Sequence, residues 1–126
     1  MLDHVAVNVS DMPRSRVFYE AALAPLGYRV VMEPPGRVGL FPPRGESAAV
    51  GSFWITDRVP VTAGHIAFTA PDRATVDAFH AAGLEAGGTD NGAPGPRPIY
   101  HENYYGAFVL DPDGINVEAV CHLPEG

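Results

Sequence analysis

Asp3-His4-Val5-Ala6-Val7 forms the first predicted strand, and the same pattern returns 61 residues later as Gly64-His65-Ile66-Ala67-Phe68. The offset is close to half of the 126-residue length. Self-similarity at one fixed spacing indicates a repeated supersecondary unit. Three further matches at the same offset are Asp11 with Asp72, Phe18 with Phe79, and Leu23 with Leu84. The sequence therefore predicts two copies of one module.

The first copy is predicted as a strand, a helix and three more strands. Residues 2–9 alternate apolar and polar side chains, which predicts a half-buried strand. Ser10 or Asp11 then caps a helix that ends near Ala24. Three strands separated by Pro and Gly clusters follow at residues 28–32, 38–41 and 48–56.

The second copy repeats this order from His65. A strand over 65–70 leads to a helix that begins at Pro71-Asp72 and closes at Gly83. The remaining segments are predicted as a weak strand at 84–89, an irregular proline-rich loop at 91–98, and a hairpin of 104–110 and 115–121 around Asp111-Pro112-Asp113-Gly114. We therefore predict an α+β fold. A single domain, with βαβββ modules at about 1–57 and 63–123, is expected to form a curled mixed sheet with a concave cup.

Composition excludes several classes of function. The chain carries a net charge of −7, and all eight of its basic residues are arginines scattered along the sequence. Without lysine there is no Schiff-base chemistry and no phosphate-binding P-loop lysine. Without a basic stripe we expect no nucleic-acid partner.

A cytoplasmic location and no membrane contact are expected. Cys121 is the only cysteine, so an intrachain disulfide is excluded and a reducing compartment fits. The chain shows no signal-peptide pattern and no apolar run of about 18 residues that would span a bilayer.

Three side chains that are distant in sequence share one predicted face of the sheet. Period-two alternation places His4, His65 and Glu118 on the face opposite the helices, which we call the cup face. Two imidazoles and one carboxylate suit a divalent Fe, Mn, Ni, Co or Zn ion and leave coordination sites for substrate. The histidines could equally be ordinary strand residues, and Glu118 an exposed acid.

These residues and their surroundings resemble the vicinal oxygen chelate superfamily, which includes glyoxalase I, extradiol dioxygenases, and fosfomycin and bleomycin resistance proteins. The resemblance spans nearly the whole chain, and it implies a metal held by His4, His65 and Glu118. Its motifs are Leu2-Asp3-His4-Val5-Ala6-Val7, Phe18-Tyr19, Gly64-His65-Ile66-Ala67-Phe68, and Phe108 to Glu118 with its Asp111-Pro112-Asp113-Gly114 turn.

One departure concerns the fourth ligand. Glyoxalase-type members usually take a glutamate from the fourth strand, but residues 48–56 contain no carboxylate. By pseudo-symmetry, residues 51–53 are expected to occupy the place of Glu118. The resemblance therefore implies a three-ligand site like that of dioxygenases and fosfomycin-resistance proteins, and argues against glyoxalase I activity.

Second-rank candidates lie in residues 97–105, beside the expected mouth of the cup. Tyr104 or His101 could donate a proton to a bound oxyanion, and Arg97 could bind a substrate carboxylate. The same segment could instead be a lid that buries its own surface. Of the other aromatic and imidazole side chains, we expect Trp54 in the core and His80 exposed.

Two functions remain open on the sequence alone. One is a metal-dependent enzyme acting on a small oxygen-bearing substrate, with lyase, isomerase or dioxygenase chemistry. The other is a non-catalytic protein that sequesters a small molecule or antibiotic, as bleomycin resistance proteins do. A homodimer is expected in either case, and the modules could pair within one chain or between two.

Overall fold

The computed structural model describes residues 2–43 and 50–125. Its elements, in chain order, are β1 (His4–Asn8), α1 (Met12–Leu23), β2 (Arg29–Met32), β3 (Arg37–Phe41), β4 (Ser52–Thr56), β5 (His65–Thr69), α2 (Arg73–Glu85), β6 (Thr89–Pro96), β7 (Tyr105–Leu110) and β8 (Asn116–Cys121). A short 3-10 turn, Ala24–Leu26, follows α1. In this part of the chain, neither helix is long and apolar enough to cross a membrane.

Each half of the chain forms its own four-stranded mixed sheet. The strand orders are β1-β4-β3-β2 and β5-β8-β7-β6. In both sheets the first and last strands of the module pair in parallel, and the other neighbours are antiparallel. The prediction of two βαβββ modules is confirmed.

Both helices begin where the sequence indicates. The Asp11 carboxylate accepts a hydrogen bond from the Arg14 backbone N–H at 3.1 Å, and Asp72 accepts one from Thr75 N–H at 2.7 Å. Each aspartate satisfies an N–H group that has no partner within the helix. The repeated Asp therefore has the same structural role in both modules.

Two predictions in the second module are wrong. Helix α2 continues through Gly83 to Glu85, where we expected a stop and a weak strand. Gly83 packs on Val109, and a Cβ built there would lie 3.4 Å from that side chain. The segment expected as an irregular loop instead forms β6, with two register shifts against β7. Its prolines are tolerated because β6 is an edge strand.

In the first module, β4 begins at Ser52, and residues 48–49 of its predicted span lie outside the described ranges.

The helix-facing sides of both sheets meet in one hydrophobic core. Phe53 of the first sheet contacts Phe68 of the second, with ring centroids 5.5 Å apart. Helix α1 contributes Tyr19, whose ring lies 4.8 Å from Phe53. Other members of the core are Val7, Val9, Phe18, Ile55, Val76, Phe79, Val109 and Val117. Because both sheets use their helix-facing sides here, their cup faces point away from this core.

A buried hydrogen bond joins the two modules beside that core. The Tyr19 hydroxyl donates to Asp111 Oδ2 at 2.6 Å, and Asp111 Oδ1 accepts the backbone N–H groups of Asp113 and Ile115 at 2.8 Å each. Burial, followed by the Asp111 charge, raises the pKa of Tyr19, so the phenol remains a donor. Ser10 also bonds to Asp113. The predicted turn therefore connects the second module to the first.

Tyr19→Phe is expected to destabilise the protein by about 1–3 kcal/mol, because it leaves one buried oxygen of Asp111 without a donor. Urea unfolding measures the change. The matched control is Tyr105→Phe, whose hydroxyl donates to Asp77 near the surface at 2.7 Å. Its loss is expected to be within about 0.5 kcal/mol. Equal losses in the two variants would contradict a special role for the buried bond.

Candidate metal centre

His65 and Glu118 form a contact pair on the cup face of the second sheet. His65 Nε2 lies 3.0 Å from Glu118 Oε1, and His65 Nδ1 lies 3.0 Å from the carbonyl oxygen of Asn116. Glu118 is only 2% exposed. Both ring nitrogens of His65 therefore face oxygen acceptors, and a neutral imidazole has one N–H to give. The contact between His65 Nε2 and Glu118 Oε1 is therefore a hydrogen bond, and these are the two atoms that would bind a metal cation.

Tyr104 completes the surroundings of the Glu118 carboxylate. Its hydroxyl donates to Oε2, the oxygen that His65 does not contact. Burial raises the pKa of Tyr104, and the hydrogen bond to Glu118 raises it further. Gly106 leaves room for this arrangement, since a Cβ there would lie 3.0 Å from Glu118 Oε2. The sequence predicts Tyr104 at the mouth of the cup as a proton donor to a bound oxyanion, and in the structure its hydroxyl contacts Glu118.

An aromatic cluster of Tyr100, His101, Tyr104 and His122 extends outward from this point. His101 Nδ1 accepts the Asn103 backbone N–H at 3.1 Å, so its Nε2 carries the proton that bonds His122 Nδ1 at 2.8 Å. The His101 and Tyr104 rings lie 5.4 Å apart. His101 thus contacts Tyr104, which in turn contacts Glu118. His122 continues the alternation that places Glu118 on the cup face, but that pattern alone assigns it no role.

Arg97 is bound to its own segment of backbone. Its guanidinium donates to the carbonyl oxygens of Ala93 at 2.7 Å and Gly95 at 2.9 Å, and lies 5.6 Å from the Phe108 ring centroid. These hydrogen bonds hold the irregular strand β6 to the residue that follows it, and the contact with the Phe108 ring is the one that reaches β7. The sequence does not reveal them, because they depend on the course of β6.

His4 lies on the cup face of the first sheet. Its Nδ1 lies 2.9 Å from Asp3 Oδ1, and this bond leaves Nε2 available. Its side chain is 61% exposed. Within the described part of one chain, no three His, Cys, Asp or Glu side chains are placed to hold a metal ion. The structure therefore brings His65 and Glu118 together and does not bring His4 to them.

The position of the strand edges explains this separation. His4 lines a cavity of about 260 Å³ between the edges of β1 and β5, and the β5 residues that line it are Ile66, Ala67, Phe68 and Thr69. His65, the first residue of β5, does not line this cavity, so the structure places His4 beside the β5 residues that follow His65.

A family model described as the Glyoxalase/Bleomycin resistance protein/Dioxygenase superfamily matches residues 1–119. The chain belongs to this superfamily. A glyoxalase/bleomycin resistance protein from Albidiferax ferrireducens T118 is 34% identical and has a TM-score of 0.83, with 96% of this chain and 98% of that chain covered. The resemblance inferred from the repeat and its motifs is confirmed.

More distant superfamily structures share the fold. A lactoylglutathione lyase from Agrobacterium tumefaciens is 20% identical with a TM-score of 0.67, covering 96% of this chain and 92% of that one. A glyoxalase/bleomycin resistance protein/dioxygenase family enzyme from Burkholderia phytofirmans PsJN is 18% identical with a TM-score of 0.71, covering 96% and 98%. No curated protein matches the chain significantly.

The strand registers place Trp54 where the second module has Glu118. Ala6 pairs with Trp54, and Ala67, its equivalent in the repeat, pairs with Glu118. The expectation that residues 51–53 occupy this place is wrong by one position. The sequence pattern alone does not give the exact register between β1 and β4. An indole cannot ligate a metal ion. The first module therefore supplies no carboxylate at the place equivalent to Glu118.

Trp54 lies on the cup face and Phe53 lies in the core, which reverses our expectation for Trp54. Phe53 is 1% exposed, whereas the Trp54 indole lies on Gly39 of β3. Alternation along β4 could assign them to opposite faces but not decide which face is which. His80 also differs from prediction, since it is half-buried and bonds Asp90 at 2.9 Å.

Gly39→Ala is expected to displace the Trp54 indole, because a Cβ at residue 39 would lie 2.8 Å from a ring carbon. Trp54 is the only tryptophan, so its fluorescence reports the movement directly. We expect emission at longer wavelength and stronger quenching by acrylamide. The control is Gly95→Ala in β6 of the other sheet, which should leave the spectrum unchanged. An unshifted spectrum for Gly39→Ala would be incompatible with the close packing described here.

Proposed function

We propose that this superfamily member is a metal-dependent enzyme in which His4, His65 and Glu118 hold a divalent first-row ion. The His65–Glu118 contact supports the proposal most directly. It places an imidazole nitrogen 3.0 Å from a buried carboxylate, so two of the three proposed donor groups already lie side by side. Fe, Mn, Ni, Co and Zn ions all fit a donor set of two imidazoles and a carboxylate.

The hydrogen bonds of the two histidines support the same ligand set. Each has Nδ1 engaged by an oxygen, from Asp3 for His4 and from Asn116 for His65. Metal-binding histidines typically fix their orientation in this way and coordinate through the other nitrogen. Both Nε2 atoms are therefore oriented as ligands.

We propose that the site is completed by a second copy of the chain. His4 and the His65–Glu118 pair lie on cup faces that point away from the shared core, and both histidines are exposed in one chain. In a twofold dimer the first-module cup face of one copy meets the second-module cup face of the other. Each dimer would then hold two equivalent sites.

A bound divalent ion would supply Lewis acidity toward substrate oxygens at its open positions. Tyr104 keeps its proton on the hydroxyl and holds one oxygen of Glu118 in place. His101 lies on the outer side of Tyr104 and is the second candidate to contact a substrate group. Arg97, through its remaining N–H groups, is the third candidate to contact substrate near Phe108. Lyase, isomerase and dioxygenase chemistry all fit, whereas four-ligand glyoxalase I chemistry does not fit Trp54.

A sequestering protein is the second candidate function. It is favoured by the aromatic surface of Trp54 and Phe41, whose rings lie 6.1 Å apart beside a cavity of about 360 Å³. Such a surface would bind a planar ligand without catalysing a reaction, and the histidines would then have no role in function. Metal content separates the two functions.

The first test of the proposal measures metal by elemental analysis after purification without chelators. We expect about one ion per chain in the unaltered protein and near-complete loss in His4→Ala and Glu118→Ala. His80→Ala, whose imidazole bonds Asp90 elsewhere, should keep its metal. Stoichiometric metal that survives both ligand substitutions would rule out this site, and a metal-free protein that cannot be loaded would favour sequestration.

Mixed dimers test whether the site joins two copies. Chains carrying His4→Ala are unfolded and refolded together with chains carrying Glu118→Ala. In each mixed dimer one site then carries both substitutions and the other carries none. Mixed dimers isolated by two affinity tags should bind about one ion per dimer. No recovery of metal would show that the site lies within one chain.

Tyr104→Phe is expected to weaken metal binding about tenfold or more, because Glu118 Oε2 loses its donor while the ring remains. Competition with a metal-binding dye measures the affinity. The control is Tyr100→Phe, which changes a hydroxyl on the adjacent ring of the aromatic cluster. Equal affinities for Tyr104→Phe and the unaltered protein would remove Tyr104 from the site.

A further inference from the structure

The cup face of the first sheet contains a cavity whose chemistry differs from that around Glu118. Its volume is about 360 Å³, and its walls divide into an apolar and a charged part. Its large apolar lining residues are Met32, Phe41 and Trp54, its charged ones are Asp3, Arg37 and Arg58, and His4 lies beside them. The cavity therefore places two guanidinium groups and an aromatic surface beside a proposed metal ligand.

Trp54 provides a flat and fixed surface in this cavity. One side of its indole lies against Gly39, where a Cβ would come within 2.8 Å of the ring. Its Nε1 donates to Ser52 Oγ at 3.1 Å, which fixes the rotation of the ring. The Arg37 guanidinium lies over this ring, and the half-buried indole also lines the cavity, so the part of the ring beside Arg37 is accessible to a ligand. A planar group is the shape that stacks best on such a surface.

The two arginines give the cavity a local positive charge in an acidic protein. Arg37 lies 5.6 Å from the centroid of the Trp54 ring, and Arg58 follows the end of β4. Within residues 2–43 and 50–125, no carboxylate lies within 4.0 Å of either guanidinium. Asp3, the acidic residue of the cavity, is already bonded to His4. The donors of Arg37 and Arg58 are therefore available for an anion.

We infer that the substrate is a planar, aromatic or conjugated molecule that bears a carboxylate. Its ring stacks on Trp54, and its carboxylate accepts hydrogen bonds from Arg37 and Arg58, since guanidinium groups match carboxylates in geometry and charge. The inference rests on the proposed function in one respect, that the other end of the molecule carries the oxygens that approach His4. A cationic ligand is disfavoured because both arginines would repel it.

Benzoate tests the inference in metal-free protein, with the fluorescence of Trp54 as the signal. Chelated protein is titrated with benzoate, with the neutral isostere benzamide, and with cyclohexanecarboxylate, which keeps the charge but lacks a planar ring. We expect saturable quenching by benzoate and about tenfold weaker binding of each analogue. Arg37→Gln and Arg58→Gln should each weaken benzoate binding about tenfold. Arg14→Gln, an exposed arginine of α1, should leave it unchanged.

Three results would overturn the inference: no saturable quenching by benzoate, equal binding of benzoate and benzamide, or unchanged binding in both arginine variants. Metal content is measured on the same samples before chelation. A protein that holds metal but does not distinguish benzoate from benzamide refutes the substrate class alone. A protein that distinguishes them but never holds metal refutes the proposed metal chemistry alone.

Discussion

The hydrogen bond from Tyr19 to the buried Asp111 carboxylate fixes how the two modules meet. It connects helix α1 of the first module to the last hairpin of the second, next to the packing of Phe53 on Phe68. At this contact the helix-facing sides of both sheets are buried in one core. The cup faces therefore point away from the core. The separation of His4 from Glu118 within one chain, and the proposed dimeric site, both follow from that constraint.

Equivalent positions of the two modules have taken different chemical roles. The position that carries buried Glu118 in the second module carries Trp54 in the first, and the β3 residue beneath Trp54 is glycine, whereas its β7 counterpart is Phe108. One cup face therefore presents a carboxylate with its proton donors. The other presents a flat indole flanked by arginines. Apposed in a dimer, the two faces would combine a place for a metal ion with a place for a planar anion.

The hydrogen bonds of Glu118 determine the chemistry of the second-module cup face. Glu118 has one oxygen facing His65 and the other facing Tyr104, so the buried carboxylate is satisfied even without a metal ion. The same arrangement keeps His65 Nε2 directed at the carboxylate. The face is thus organised in advance, which lowers the cost of assembling ligands around an ion.

The sequence by itself determined the duplicated βαβββ order, the helix caps at Asp11 and Asp72, and the shared face of His65 and Glu118. These follow from local periodicity and turn chemistry, which short stretches of chain encode. It did not reveal the strand β6, the cup-facing Trp54 or the role of Asp111. Tertiary structure decided these, because strand register and the packing of one module on the other depend on residues far apart in the chain. The separation of His4 from His65 and Glu118 also depends on how the two modules pack, and so on the tertiary structure.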